Sequence, residues 1–371
     1  VKTLEIYRGA APFIVLQLIA LVIVALTPAM VNYLPTRISL STETAPPPIN
    51  PRLQYCIEEY LFEYYDTNEE QLRNDVSTLR RANLSVLPEK RQKALNESLD
   101  RTLNTFALVN EVREAEANRL SYAPEFRPQH KHVRGLQVEM RNIKLEIVDL
   151  KQTLTRASRS DSPDQDRLIQ IEAEIKKAES AITDLQNQIP ETWDEANQRY
   201  AELEKAESKA RRIYRNNVDQ AYETIAELRE VIAGADALAG LEQQLSDLEM
   251  AIANKPPDVA MEQFKEAEKA LGKVAGTSAI KSKLSKARRA LKGKEPKPEK
   301  AIKALGQGLE IYAAEVDWRR RAAAEVGPAL AAYDETIKGS IGLRLQRRMS
   351  PEQIKAVAAC RSVHRDYSLQ F

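Results

Sequence analysis

Residues 13–34, FIVLQLIALVIVALTPAMVNYL, run for 22 positions without a charge, and such a run has few ways to fold. As a helix it spans roughly 33 Å, enough for a bilayer core of about 30 Å. In lipid each backbone polar group needs an internal partner, which a helix supplies. The run is therefore expected to be a transmembrane helix. It exceeds the usual signal-peptide core of about 7–15 residues, and no small-x-small cleavage site closes it. Gln17, Thr27 and Pro28 lie inside it. Thr can bond a carbonyl one turn back and the carbonyl freed by Pro can find a neighbouring helix, so these residues suit a bundle better than a lone anchor.

The flanks carry interface chemistry. Tyr7 and Arg8 precede the run and Tyr33 closes it, and amphipathic rings and basic side chains favour the headgroup zone. Lys2 and Arg8 precede the run, whereas only Arg37 follows within fifteen residues. The positive-inside bias thus favours a cytoplasmic start and a periplasmic remainder. Residues 39–52, SLSTETAPPPINPR, form a semi-rigid proline-rich linker, since consecutive prolines lack donors and favour extended geometry.

From Leu53 onward Ala, Leu, Glu, Lys, Arg and Gln dominate, with two tryptophans and no run of β-branched residues. These residues lose little side-chain entropy in a helix, so the fold class is all-α, with an elongated helical region after the membrane helix. The clearest period runs through Val133, Leu136, Met140, Ile143, Ile147, Leu150 and Leu154. It resumes at Leu168, Ile171, Ile175, Ala178, Ile182, Leu185 and Ile189. Each is an a/d stripe that a helix cannot bury alone. Between them Ser162 can cap, Pro163 suits the first helical position and Gln165 can complete a capping box. The pattern favours an antiparallel hairpin. A continuous parallel coiled coil keeps the heptad phase but sets Asp161 and Asp164 in the seam, where carboxylates are costly.

The chain divides into a pre-membrane flank (1–12), the membrane helix (13–34), the linker (39–52), a helical segment (53–128), a coiled-coil hairpin with its following helix (130–234) and a basic short-helix region (235–371). Pro257, Ala260, Phe264 and Leu271 are echoed by Pro298, Ala301, Leu305 and Tyr312. A period of about 41 residues suits paired helices. Ser350-Pro351-Glu352-Gln353 carries cap chemistry and starts a last short helix.

Net charge is +1, but residues 164–270 carry −11 and residues 271–371 carry +11. The basic run Lys281, Lys283, Lys286, Arg288, Arg289 and Lys292 suits either pairing with the acidic helices or anionic lipid. It lacks interleaved aromatics for base stacking, which argues against a nucleic-acid partner.

Catalytic chemistry is not indicated. His130 and His132 point to different sides of a helix, with no Cys or carboxylate beside them to complete a ligand set. Cys360 and His364 share a face but lack a third group. Two cysteines are too few for a metal cage; a single Cys56–Cys360 bridge is open if the region is periplasmic. The cluster from Glu58 to Asp66 reads as a partly buried amphipathic helix rather than a carboxylate pair. The chain is expected to be no enzyme and to hold no cofactor. Its expected partners are the membrane and another copy through the coiled coil.

Ile6-Tyr7-Arg8-Gly9, Pro12-Phe13, the long apolar helix and Tyr33-Leu34-Pro35 resemble the C-terminal end of the large membrane subunit of TRAP transporters, the tripartite ATP-independent periplasmic family. There an I-Y-R-G-x-x-P-F element opens the last membrane helix and a W/Y-L-P element closes it. The resemblance covers about 35 of 371 residues. It implies a bacterial inner-membrane parent that takes up carboxylate solutes coupled to sodium, with a small membrane subunit and a periplasmic solute-binding protein as partners. The solute and ion sites would lie upstream of Val1, in the part of a longer polypeptide that a start at Val rather than Met suggests. The alternative is a single-pass anchored coiled-coil scaffold.

Overall fold

The computed structural model describes residues 3–26, 47, 51–159, 164–293 and 295–363; within these, the side chains of 3–11, 24–26, 51–53 and 361–363 are not described. All regular structure among the described residues is helical. Helix α1 spans Thr3–Leu26 and α2 Pro51–Arg80. A 3-10 turn at Leu84–Val86 leads into α3, Glu89–Ser158. Then follow α4 Gln165–Asn187, α5 Trp193–Ala233, α6 Ala235–Ala239, α7 Glu242–Asn254 and α8 Pro257–Leu271. The chain continues through α9 Ser278–Ala290, α10 Pro298–Glu325 and α11 Gly327–Ile337 to α12 Pro351–Val363.

The described side chains of α1 form a row of exposed apolar residues from Phe13 to Ile23, including Leu16 at 68% and Leu21 at 64% exposure. Among the described residues no helix is long and apolar enough to cross a membrane. The part of the apolar run from Thr27 to Leu34 lies outside the described residues, as does most of the proline-rich linker.

Two compact units divide the described residues: those up to Ala107 together with those from Arg215 onward, and Leu108–Tyr214. Helices α3 and α5 contribute to both. In the 108–214 unit, Leu136 and Met140 of α3 pack with Leu185 of α4, flanked by Ile143, Ile182 and Ile189. Farther along α3, Ile147 packs with Ile171 and Ile175, flanked by Leu150, Leu154 and Ala178. Ascending numbers on α3 thus meet descending numbers on α4, which is an antiparallel pairing. On the other side of Pro190, α5 returns along the earlier part of α3: Tyr122, Ala123 and Phe126 pack with Ala196 and Tyr200. Pro190 separates α4 from α5, and its carbonyl accepts from the Trp193 N–H at 2.9 Å.

Two details differ from the sequence reading. Helix α4 begins at Gln165 with Asp164 as its cap, the carboxylate accepting the Arg167 N–H at 3.2 Å. An Asp one residue before the first turn serves this role as well as Ser162 could, and Ser162 and Pro163 lie outside the described residues. The division drawn at residues 128–130 falls inside α3, which runs through Pro124 and Pro128. Both prolines are exposed, so the carbonyls they leave unbonded, one turn back, can turn to water.

In the other unit, α6 to α10 share one core: Leu245 and Leu248 of α7, Phe264 and Leu271 of α8, Ile280 and Leu284 of α9, Leu305 and Tyr312 of α10. Helices α8 and α10 both start on a proline at the first helical position and bury an alanine three residues on, Ala260 and Ala301. The Tyr312 hydroxyl donates to the Leu238 carbonyl at 3.0 Å, which satisfies its polar end inside that core. The start of α3 is fastened to the end of α5 by Ser98, which donates to the Ala221 carbonyl at 2.6 Å, and by Asn217, which donates to the Arg101 carbonyl at 2.8 Å. Tyr333 of α11 donates to the Thr102 hydroxyl at 2.9 Å. Helix α12 opens with a reciprocal capping box: the Gln353 N–H reaches the Ser350 hydroxyl at 3.3 Å, and Ser350 N–H reaches the Gln353 side-chain oxygen at 2.8 Å. A disulfide joins Cys56 of α2 to Cys360 of α12, closing a loop with a sequence separation of 304.

Candidate functional site: docking surfaces and buried charge

Among the described residues no group of three or more His, Cys, Asp or Glu could hold a metal ion. The chemistry present is of two other kinds, exposed surfaces and buried ion pairs.

A buried charge cluster lies between α3 and α5. Glu207 accepts from Arg119 Nε through one oxygen and from Arg211 Nε at 2.8 Å through the other. A terminal nitrogen of Arg211 stands 3.1 Å from Glu116, and Arg119 also donates to the Tyr200 hydroxyl at 3.5 Å. All four charged side chains are less than a fifth exposed. Burial works against the Arg119 charge, but the bonds to Glu207 and Tyr200 outweigh it and hold its pKa above the ordinary arginine value. Beside this network Phe126 stacks on Tyr200 at 4.3 Å and on Trp193 at 5.7 Å. Arg199 covers the Tyr122 ring at 4.4 Å. His130 leans on Phe126 at 5.5 Å, and burial, then the Arg134 charge, lowers its pKa. His130 is thus part of an aromatic stack rather than a ligand set, and His132 is exposed.

The other unit buries its own charges. Arg319 is fully buried, donating to Glu315 at 2.6 and 2.8 Å and to the Ala275 carbonyl at 2.9 Å, against the Trp318 ring. Gly276 turns beside it at φ +74, where a Cβ would stand 2.9 Å from the guanidinium. Asp334 pairs with Arg229, and Glu58 pairs with Arg215. Glu58, in the helical cluster that runs from Glu58 to Asp66, is only 3% exposed, and the arginine compensates its buried charge.

Of the residues singled out in the sequence, Tyr7 and Arg8 lie on α1 with side chains outside the description, and Tyr33 and His364 are outside it altogether. The seam residues Leu136, Met140 and Leu185 share one cluster, Ile147, Ile171 and Ile175 a second, and Ile143 and Ile182 border both. Leu168 is half-buried and belongs to neither. The exposed face of α3 opposite this seam carries Val138, Leu145 and Val148, each about half exposed.

The basic run sits on α9. Leu284, Ala287 and Leu291 bury its inner side. Arg288 pairs with Glu268 of α8 at 2.9 and 3.3 Å, and Lys283 donates to Gln307 of α10 at 2.8 Å. Lys286, Arg289, Lys292, Lys297, Lys300 and Lys303 are exposed.

The buried charges could not be picked out beforehand. Arg119 and Glu207 are 88 positions apart, and charged residues in a polar helix ordinarily face water. No family model matches this chain, and neither a curated protein nor a solved structure matches it.

Proposed function

We propose that the chain is the C-terminal part of a TRAP-type large membrane subunit, whose parent protein takes up carboxylate solutes coupled to sodium. The observation that carries this reading is the pattern Ile6-Tyr7-Arg8-Gly9, Pro12-Phe13 and Tyr33-Leu34-Pro35 around one apolar run. On this reading residues 13–34 form the last membrane helix of a bacterial inner-membrane protein. The exposed apolar row from Phe13 to Ile23 supports it, because such a surface is covered in its working state. The helical part is then an accessory for protein contacts with the small membrane subunit, the periplasmic solute-binding protein or a second copy. The Cys56–Cys360 bridge supports placing it on the periplasmic side, since disulfides persist in oxidising compartments. Solute and ion sites belong upstream of Val1.

Reading the genomic frame upstream of Val1 tests the assignment. Many further membrane helices in the same frame are expected; a start codon immediately before Val1 would sink it. A second reading is a single-pass anchored scaffold, favoured by the apolar patch Val138, Leu145 and Val148 that the α3–α4 pair leaves uncovered. Sidedness is tested separately. In intact spheroplasts a membrane-impermeant maleimide, added after an impermeant reductant, labels the half-buried Cys360 if the helical part is periplasmic. Labelling only after lysis places it in the cytoplasm.

A further inference from the structure

We propose that the corner between α9 and α10 binds the anionic headgroups of a phospholipid surface. From Lys281 to Lys303 the chain carries ten cations and two carboxylates, an excess that folding into this core does not require. Intramolecular pairing accounts for Arg288, on Glu268, and for Lys283, on Gln307. Among the described residues Lys286, Arg289, Lys292, Lys297, Lys300 and Lys303 have no ion-pair partner.

The backbone collects these six at one place. The Lys297 N–H bonds to the Ala290 carbonyl at 2.8 Å, and Gly293 makes the turn at φ +113 with open space around it. The end of α9 therefore lies beside the start of α10. Leu284, Ala287 and Leu291 on one side, Ala301, Ala304 and Leu305 on the other, are buried in the shared core, so the cations are held outward on fixed helices. Ile302, exposed at 41%, stands among them as an apolar contact for an interface.

Like charges held this close repel one another, and an anionic surface relieves that repulsion while attracting each lysine or arginine within a Debye length. Lipid fits better than nucleic acid, because no aromatic side chain lies between Lys281 and Lys303 to stack on a base. The choice of lipid over other polyanions rests on the membrane reading of α1; the cation cluster itself does not.

The test uses the full chain held in a non-ionic amphipol, which covers the apolar surface of α1, and flotation with vesicles of phosphatidylcholine alone or with one third phosphatidylglycerol. Binding to the anionic vesicles alone is expected at about 0.15 M salt, with loss at about 0.5 M. The triple variant K286Q/R289Q/K300Q should bind about a hundredfold more weakly, near fivefold for each cation removed. The charge-preserving K286R/K300R should bind like the unmodified chain, and circular dichroism checks that both variants keep their helices. Equal binding to both vesicles, or a triple variant that floats as well as the parent, overturns the proposal. So does tighter binding to a single-stranded oligonucleotide than to the anionic vesicles. Because α1 is masked, its failure to insert into a bilayer would refute the anchor without touching this readout.

Discussion

Replacing Glu207 by alanine should be among the most damaging single changes in the 108–214 unit. Glu207 accepts from both Arg119 and Arg211, and those two guanidinium groups are under a tenth exposed. Removing the carboxylate takes from both buried cations the partner that they share. Breaking a buried pair in this way costs about 3–5 kcal/mol. With a urea slope of about 1–3 kcal/mol per molar for a unit of this size, the unfolding midpoint should fall by about 2 M. The protein provides its own probe: Trp193 lies in this unit and Trp318 in the other, so W318F leaves fluorescence that reports the α3–α5 contact alone. The comparison that isolates the cause is the quadruple change E116L/R119M/E207L/R211M. Exchanging a whole buried network for apolar groups is neutral or stabilising by about 1–4 kcal/mol. A Glu207→Ala midpoint within about 0.5 M of the parent would show that water reaches these charges and would refute the burial argument. A quadruple variant as unstable as the single one would show that volume, not charge, sets the cost.

Three further outcomes are expected. Changing Cys56 and Cys360 to serine removes a closure over 304 positions, worth about 6 kcal/mol in the chain-entropy model. Hydrogen exchange should rise first in α12, and unchanged protection there would count against the bridge. His130 has a folded pKa below its unfolded value, so its neutral form favours the fold: this contribution is present above the unfolded pKa near 6.5 and is lost as pH falls through the folded pKa. Urea midpoints followed through Trp193 should therefore drop on acidification, and H130F should lessen the drop; an identical pH profile in the variant would exclude this histidine as a source. Finally, a Cβ at Gly342 would collide with the Tyr222 ring. Because Tyr222 is buried, G342A should cost about 1–3 kcal/mol, read as a lower thermal midpoint, and an unchanged midpoint would mean that the ring moves freely.

The helical character of the chain is legible because the signal is local. A residue that loses little entropy in a helix does so wherever the helix lies, and the Ser350 to Gln353 box is written within four positions. Caps become ambiguous when candidates adjoin: Ser162 and Asp164 are both good acceptors, and moving the helix start by two positions exchanges one for the other. The continuity of α3 through Pro124 and Pro128 depends on which way those rings face, and that is set by Phe126 and Tyr122 packing against α5. Sequence gave no hint that Arg119, Glu207 and Arg211 are buried, since an Arg and a Glu a whole hairpin apart have no periodic relation. The pairing of Cys56 with Cys360 is likewise open in the sequence, because it turns on whether α2 and α12 meet, a tertiary fact.

That meeting has a mechanical consequence. With Cys56 bonded to Cys360, the backbone between them is a covalent ring, and any load applied through the N-terminal end of α2 can pass to α12 through two sulfur atoms without extending the helices in between. A protease that cuts once anywhere between those cysteines therefore releases nothing: the two pieces stay one molecule until a reductant is added. Damage to any loop of the ring, including those around Pro256 or Pro296, would be silent on a non-reducing gel and visible at once on a reducing one.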